Sequence, residues 1–448
     1  MKIAQRNKSI FLILFLAFFI RIILMCAILV KNPDGIYQYD SYGYWNLGYN
    51  IAQNGVFSQS EDIPLELDYY RTPVYPLFIA FAEFIGPEGF TIIFLQIILS
   101  VLTCYVTYLL CKKIIANDFI ANTAALIVAV DLPSITLSNL VLTETLFSFL
   151  FISCFYYFVL FLKQHQIKYL LYAAVLSGLC MLCRPIGFFI PFLLGIFLIF
   201  DFRKNVKDLT CKLIIFSAVI GLTVSPWLIR NKIAFNHYFL SVIREHNLLN
   251  YQAGTVYADR FNYSVPKAQS ILRWKTFKEF KGDAHAQPYE YAKHIEKEAV
   301  KIIAENPVIF MKYHVEQILY FFLKPSRAYF EIQLGLWGEG YNFIPKDYPI
   351  SQYLFKHTST FTIVLVFIQM LVLAIVYFSC CFGMLFLFRN KERLILVLVL
   401  LTIFAVANLN LPPATEARFR IPVWPLIAIL SACGLFFLKQ KCFKSKTA

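Results

Sequence analysis

Ionisable side chains are scarce in this chain, and a few stand where they can do chemistry. Asp40 and Glu144 are carboxylates set among apolar and aromatic residues, and Arg71, Arg184, Arg230, Arg418 and Arg420 are guanidiniums at the ends of apolar runs. A carboxylate beside an attacking hydroxyl can take its proton. A guanidinium presents a fork of donors that matches a phosphate, and several together stabilise a phosphate as it leaves. Asp40 precedes a run in which Tyr42, Trp45, Tyr49 and Ala52 recur at helical spacing, and Asn54-Gly55 stops it. Asp40 therefore reads either as the N-cap of an interfacial helix or as a carboxylate held at the membrane surface, near a lipid-linked headgroup. Arg71 opens Arg71-Thr72-Pro73-Val74-Tyr75-Pro76, whose prolines force an extended entry to a short apolar helix over 77–85. It reads either as a contact to lipid phosphate or as the cation for a substrate phosphate.

The elements that position these residues follow from composition. Of 448 residues, 59% are hydrophobic and only 15% are charged, against about 25% charged in an ordinary soluble domain. So few charges cannot cover so much apolar surface in water. A soluble enzyme, a disordered chain and a disulfide scaffold are excluded, and an all-α polytopic membrane protein remains. Apolar runs at 11–30, 90–111, 119–132, 140–162, 169–182, 186–200, 213–229, 360–388, 394–409 and 421–438 make about ten transmembrane helices. Three parts result: a transmembrane module over 1–229 with its first outer loop at 31–89, a large outer loop over 230–359 with interfacial helices, and closing helices with a basic tail over 360–448.

The net charge of +14 is largely an orientation signal. Lys112, Lys113, Lys163, Lys168, Arg203, Lys204, Lys207, Arg389, Arg393, Lys439 and Lys441 fall on one side, with both termini. The positive-inside rule makes that side cytoplasmic and turns the two large loops outward. A nucleic-acid partner is not expected. All 11 Cys fall in spans or cytoplasmic loops, so the outer loops carry no disulfide staples. Cys180 and Cys183 form a CxxC inside an apolar span, which reads as packing.

Charges in or beside spans are costly and mark function or packing. Arg21 lies mid-span. Asp131, Glu144, Arg184, Arg230, Glu416, Arg418 and Arg420 lie at outer ends, where they can converge on one outward cavity or bridge helices pairwise. In the large loop, 287–305 has Tyr291, Ile295, Ala299 and Ile302 at helical spacing, and 307–323 reads as a membrane-surface helix. The 335–340 stretch with Trp337 reads as a loop over the cavity.

Six pieces in order carry a family resemblance: Asp40-Ser41-Tyr42 through Gly55-Val56-Phe57, Arg71 to Phe78, Thr143-Glu144-Thr145-Leu146-Phe147, Arg184-Pro185, Pro226-Trp227 with Arg230-Asn231, and Glu416-Ala417-Arg418-Phe419-Arg420 with Pro422. Together they resemble the GT-C superfamily of integral membrane glycosyltransferases, in particular bacterial relatives of protein O-mannosyltransferases and aminoarabinose transferases. The resemblance implies a polyprenyl-phosphate sugar donor and a lipid, glycan or protein acceptor. It also implies transfer to an acceptor hydroxyl at the outer face of a bacterial inner membrane, with inversion. It further implies Asp40 as base with Glu144 second, and Arg71, Tyr75, Arg184, Arg230, Arg418 and Arg420 at the substrate. Many relatives carry an Asp-Glu pair in the first loop, whereas Ser41 follows Asp40 here, so a second carboxylate comes from Glu144, from Asp34 or from nowhere. No cofactor is expected. A divalent metal is possible but no ligand spacing indicates one. The competing reading is a transporter or flippase of a lipid-linked sugar, although no internal repeat is visible.

Overall fold

Every regular element among the described residues is helical. The computed structural model describes residues 2–38, 40–86, 89–336, 360–409 and 417–444. The transmembrane module contains α1 (Lys2–Lys31), α2 (Ser41–Asn54), α3 (Val74–Ile85), α4 (Gly89–Ile114), α5 (Asp118–Ala129), α6 (Leu132–Leu137), α7 (Glu144–Gln164), α8 (Ile167–Cys183), α9 (Phe189–Phe202) and α10 (Val206–Phe235). The large outer loop folds into α11 (Ile243–Asn247), a π-helix (Leu248–Ala253), α12 (Gly254–Phe261), α13 (Val265–Glu279), α14 (Pro288–Ala304), α15 (Pro307–Leu323) and α16 (Arg327–Gln333). The chain closes with α17 (Thr360–Arg389), α18 (Arg393–Leu409) and α19 (Trp424–Lys444).

Among the described residues, seven segments are long and apolar enough to cross a bilayer: Lys8–Lys31, Gly89–Ile114, Glu144–Gln164, Pro185–Phe202, Val206–Phe235, Thr360–Arg389 and Ala417–Cys442. Three further expected crossings form shorter apolar helices, α5, α8 and α18. The run at 119–132 is cut because Asp131 caps a new helix. Its Oδ2 accepts from Ser134 N at 3.0 Å and Ser134 Oγ at 2.6 Å. At 1.5 Å per residue, α5 alone reaches only about 18 Å.

The run expected to span from 140 starts its helix four residues later, at Glu144. Residues 138–143 are buried but irregular. Backbone groups away from water need partners, and two buried amides supply them. Gln96 Nε2 donates to Leu140 O at 2.6 Å, and Gln333 Nε2 donates to Thr136 O and Asn139 O at 2.9 and 3.0 Å. Val141 N donates to Ile36 O at 3.0 Å. This pinned loop fixes where α7 begins, and hence where Glu144 stands.

Arg21 ties three helices together. It is fully buried, with Nε donating to Ser100 Oγ at 2.8 Å and Nη1 to Ala17 O and Ala129 O at 2.9 Å each. Arg21→Met leaves Ser100 and the Ala129 carbonyl without that donor. The expected result is a loss of about 1–3 kcal/mol of stability with specific activity of the folded fraction unchanged, read by thermal melting in detergent beside an activity assay.

The first outer loop lies flat on this module. Tyr42 and Tyr49 are exposed on one side of α2, while Leu47, Gly48 and Asn50 are buried on the other. A Cβ on Gly48 would run into Ile79 of α3, so glycine permits that close packing. Gly55 ends α2 at φ +67° in the left-handed region. The outer domain has its own small core of Leu249, Ala253, Leu272, Ile295 and Ala299. Phe239, Val242 and Ala292 pack with Tyr69 and Tyr70 and so seat that domain on the first outer loop.

Candidate active site

The stretch that carries Arg71 is shaped by Asp68. Its Oδ1 accepts from Tyr70 N at 3.0 Å and Arg71 N at 2.8 Å, and its Oδ2 from Gln59 Nε2 at 2.5 Å. Burial pushes the Asp68 carboxyl above the usual aspartate range, against the pull of these donors. The turn aims the Arg71 side chain back across the loop. Arg71 Nη2 meets Asp40 Oδ1 at 2.8 Å, and Nη1 donates to Tyr44 Oη at 3.2 Å while the guanidinium carbon lies 4.5 Å from the Tyr44 ring centroid.

Asp40 occupies the N-cap position of α2, yet its side chain makes no cap hydrogen bond. Ser41 Oγ engages the Gln38 backbone instead. The carboxylate is turned to Arg71, and its side chain stays 41% exposed while that of Arg71 is 11% exposed. Burial pushes the Asp40 carboxyl up, but Arg71, with Arg418 and Arg184 behind it, outweighs burial and holds it below the ordinary aspartate range. Asp40 is thus an ionised carboxylate that remains open to solvent.

Glu144 begins α7 with its side chain 2% exposed. Its Oε1 lies 2.6 Å from Arg184 Nη1 and 3.9 Å from Arg418 Nε. Thr143 Oγ1 also accepts from Arg184 Nη1, at 3.1 Å. The Phe419 ring lies 6.0 Å from the Arg184 guanidinium carbon and 4.8 Å from that of Arg418, so one aromatic ring neighbours both cations. Arg184 follows the end of α8, where Cys183 O accepts from Thr72 Oγ1 at 3.1 Å. That bond joins the Arg71 segment to the Arg184 turn. The centre therefore holds two carboxylates, Asp40 and Glu144, among three guanidiniums, Arg71, Arg184 and Arg418.

Three further residues expected at the substrate are engaged by other parts of the chain. Tyr75 is fully buried behind the site. Its hydroxyl donates to Gln96 Oε1 at 2.7 Å, and its ring meets Tyr44 edge-on at 5.2 Å. Arg230 donates to Asp68 O at 2.7 Å and Asn231 Oδ1 at 2.8 Å, beside the Trp227 and Phe57 rings. Arg420 is buried and donates to Phe321 O at 3.0 Å and Phe322 O at 2.5 Å. Arg230 and Arg420 thus anchor the first outer loop and the end of α15, because nearby carbonyls take their donors. Asp34 is exposed on the short 3-10 helix Pro33–Ile36. Glu416, Trp337 and most of the 335–340 stretch lie outside the described residues. Asp68 and Tyr44 were missed by the sequence reading, and Thr143 entered it only as the first residue of the Thr143–Phe147 piece. Only Asp68 left a signal there, an Asp three residues before Arg71 with the turn propensity of an Asx motif.

Among the described residues, no three His, Cys, Asp or Glu side chains gather as a metal site. The charges of Asp40 and Glu144 are met by guanidiniums, a donor set that suits an anion better than a divalent cation.

The family described as dolichyl-phosphate-mannose-protein mannosyltransferase matches residues 70–229. That segment holds Arg71, Glu144 and Arg184 and leaves out Asp40. No curated protein matches the sequence. Among solved structures, the archaeal oligosaccharyltransferase AglB from Archaeoglobus fulgidus, in complex with an inhibitory peptide and a dolichol-phosphate, is 15% identical with a TM-score of 0.54. The match covers 100% of this chain and 52% of that one, so this chain spans about half the length of that relative. ArnT from Cupriavidus metallidurans, bound to undecaprenyl phosphate, is 9% identical with a TM-score of 0.42, covering 95% and 77% of the two chains. The likeness to AglB shows a shared fold. Together with the family match, it supports the resemblance to GT-C superfamily membrane glycosyltransferases.

Proposed function

We propose that this protein transfers a sugar from a polyprenyl-phosphate donor to an acceptor hydroxyl at the outer face of a bacterial inner membrane. In this reading both termini are cytoplasmic and both large loops face outward. The observation that carries it is the pairing of an open, ionised Asp40 with a buried cluster of Glu144, Arg184 and Arg418. Arg71, Arg184 and Arg418 hold the donor phosphate, which leaves with its negative charge stabilised and needs no strong general acid. Asp40 takes the proton of the attacking hydroxyl. The acceptor oxygen bonds to the anomeric carbon as the carbon–phosphate oxygen bond breaks, and one displacement inverts that carbon. Glu144 acts from behind, holding Arg184 and Arg418 apart and in place.

The pH dependence follows from the depressed Asp40 carboxyl. The base form persists above its lowered pKa and is lost as pH falls through it. The rate of transfer is therefore expected to stay flat through the ordinary aspartate range. Arg71→Gln moves the acid limb upward, because burial then acts against less positive charge. An unchanged acid limb in Arg71→Gln, measured from pH–rate profiles, removes Asp40 as the titrating group.

The simplest test compares the masses of envelope glycans and lipids from cells with and without the protein. Loss of one sugar residue from one product is expected, and it names both sugar and acceptor. Identical masses in the two strains contradict the proposal.

A further inference from the structure

A line of aromatic rings runs from the exposed face of α13 to Arg71. Trp274 and Phe277 are 66% and 58% exposed on that helix. Phe277 meets Tyr291 of α14 at 6.4 Å between centroids, Tyr291 meets His246 of α11 at 6.1 Å, and His246 meets Tyr70 at 5.0 Å. The Tyr70 ring lies 5.7 Å from the Arg71 guanidinium carbon. Burial pulls the His246 imidazole down to about 4, so it enters the line as a neutral ring.

The flanks of this line are cationic. Lys267, Ser270, Arg273, Trp274, Phe277 and Lys278 are all exposed and recur at three- and four-residue steps along one face of α13. Lys278 Nζ sits 4.8 Å over the Trp274 ring. A membrane-seeking helix looks different in this molecule. On α3, Leu77, Phe81, Phe84 and Ile85 form an exposed stripe without a charge. On α13 Lys278 sits over Trp274, with Arg273 and Lys267 on the same face, and the line of rings leads to Arg71 at the reacting centre.

We propose that this line is an acceptor track for an acidic saccharide chain, with sugar rings stacked on the exposed Trp274 and Phe277, acidic groups met by Lys267, Arg273 and Lys278, and the half-buried rings of Tyr291, His246 and Tyr70 marking the direction toward Arg71. The apolar C–H face of a pyranose fits an aromatic face, and the flanking cations select an anionic chain over a neutral one. This rests on the transfer reading of the Asp40 centre and adds the chemical class of its acceptor.

The test is calorimetric titration of the full chain in neutral-lipid nanodiscs with tetragalacturonate and with maltotetraose. The acidic tetrasaccharide is expected to bind at least about tenfold more tightly than the neutral one. Trp274→Ala/Phe277→Ala is expected to weaken it about tenfold, or about 1.4 kcal/mol, and Arg273→Gln/Lys278→Gln to erase the preference for acid. Asp40→Asn is expected to bind it normally. Unchanged binding in the Trp274/Phe277 variant overturns the track, as does equal affinity for the two tetrasaccharides. Displacement of tetragalacturonate by phosphatidylglycerol vesicles overturns it in favour of a lipid contact. If Asp40→Asn retains transfer, the catalytic reading fails while these binding results stand on their own.

Discussion

Asp40→Asn is expected to reduce sugar transfer by about 10²–10⁴-fold, the usual contribution of a positioned general base, while donor binding changes little. The substitution is nearly isosteric, and the side-chain oxygen can still accept from Arg71, so the loop keeps its form. The Asp40 carboxylate caps no backbone donor of α2, so loss of helix stability does not offer an alternative cause. Donor affinity and transfer rate, measured on the same preparation, separate the two roles. A variant that transfers at the wild-type rate shows that Asp40 serves only to hold Arg71.

The second large effect concerns Glu144. Removing its carboxylate in Glu144→Ala leaves Arg184 and Arg418 facing each other across a buried site. Breaking a buried ion pair from one side typically costs about 3–5 kcal/mol, because an uncompensated charge remains. Replacing Glu144 and Arg184 together, as in Glu144→Ala/Arg184→Met, removes the Arg184 charge and with it the repulsion toward Arg418. The double variant is therefore expected to recover much of the lost thermal stability while binding the donor phosphate poorly. The cycle is read from melting temperatures and donor titrations of the four proteins. Additive losses in stability contradict the ion-pair account, and undiminished donor binding in the double variant removes Arg184 from the phosphate site.

Much of the frame was legible because membrane helices announce themselves locally. Gly55 stops α2 at a positive φ, Pro288 and Pro307 open α14 and α15, and basic residues close the spans. What escaped was decided by distant partners. Leu140, Val141 and Leu142 read as the start of a span, and Gln96, Gln333 and the Ile36 carbonyl, far away in sequence, make the irregular backbone there tolerable. Asp131 looked like a site residue beside a loop and proved to be the cap that splits a span.

The site was legible in type more than in geometry. Asp40, Arg71, Glu144, Arg184 and Arg418 were singled out as rare charges, and the fold brings them together. Arg230 and Arg420 carried the same local signal. They differ from Arg71 because backbone carbonyls lie within reach of their guanidiniums. Tyr75 was inseparable in sequence from Arg71, yet the helical turn between them points it inward to Gln96. Asp68 drew no notice because its work is done on two backbone N–H groups within its own turn.

The central claim is chemical consumption of a lipid-linked sugar at an outward centre. Its most direct test reconstitutes the purified chain in vesicles with a labelled polyprenyl-phosphate sugar and a hydroxyl acceptor, then follows the label and the anomeric configuration. The account predicts free polyprenyl phosphate and a glycosylated acceptor of inverted configuration, both formed at least about 10²-fold more slowly in Asp40→Asn. Intact donor recovered on the opposite leaflet, or a product of retained configuration, would contradict it.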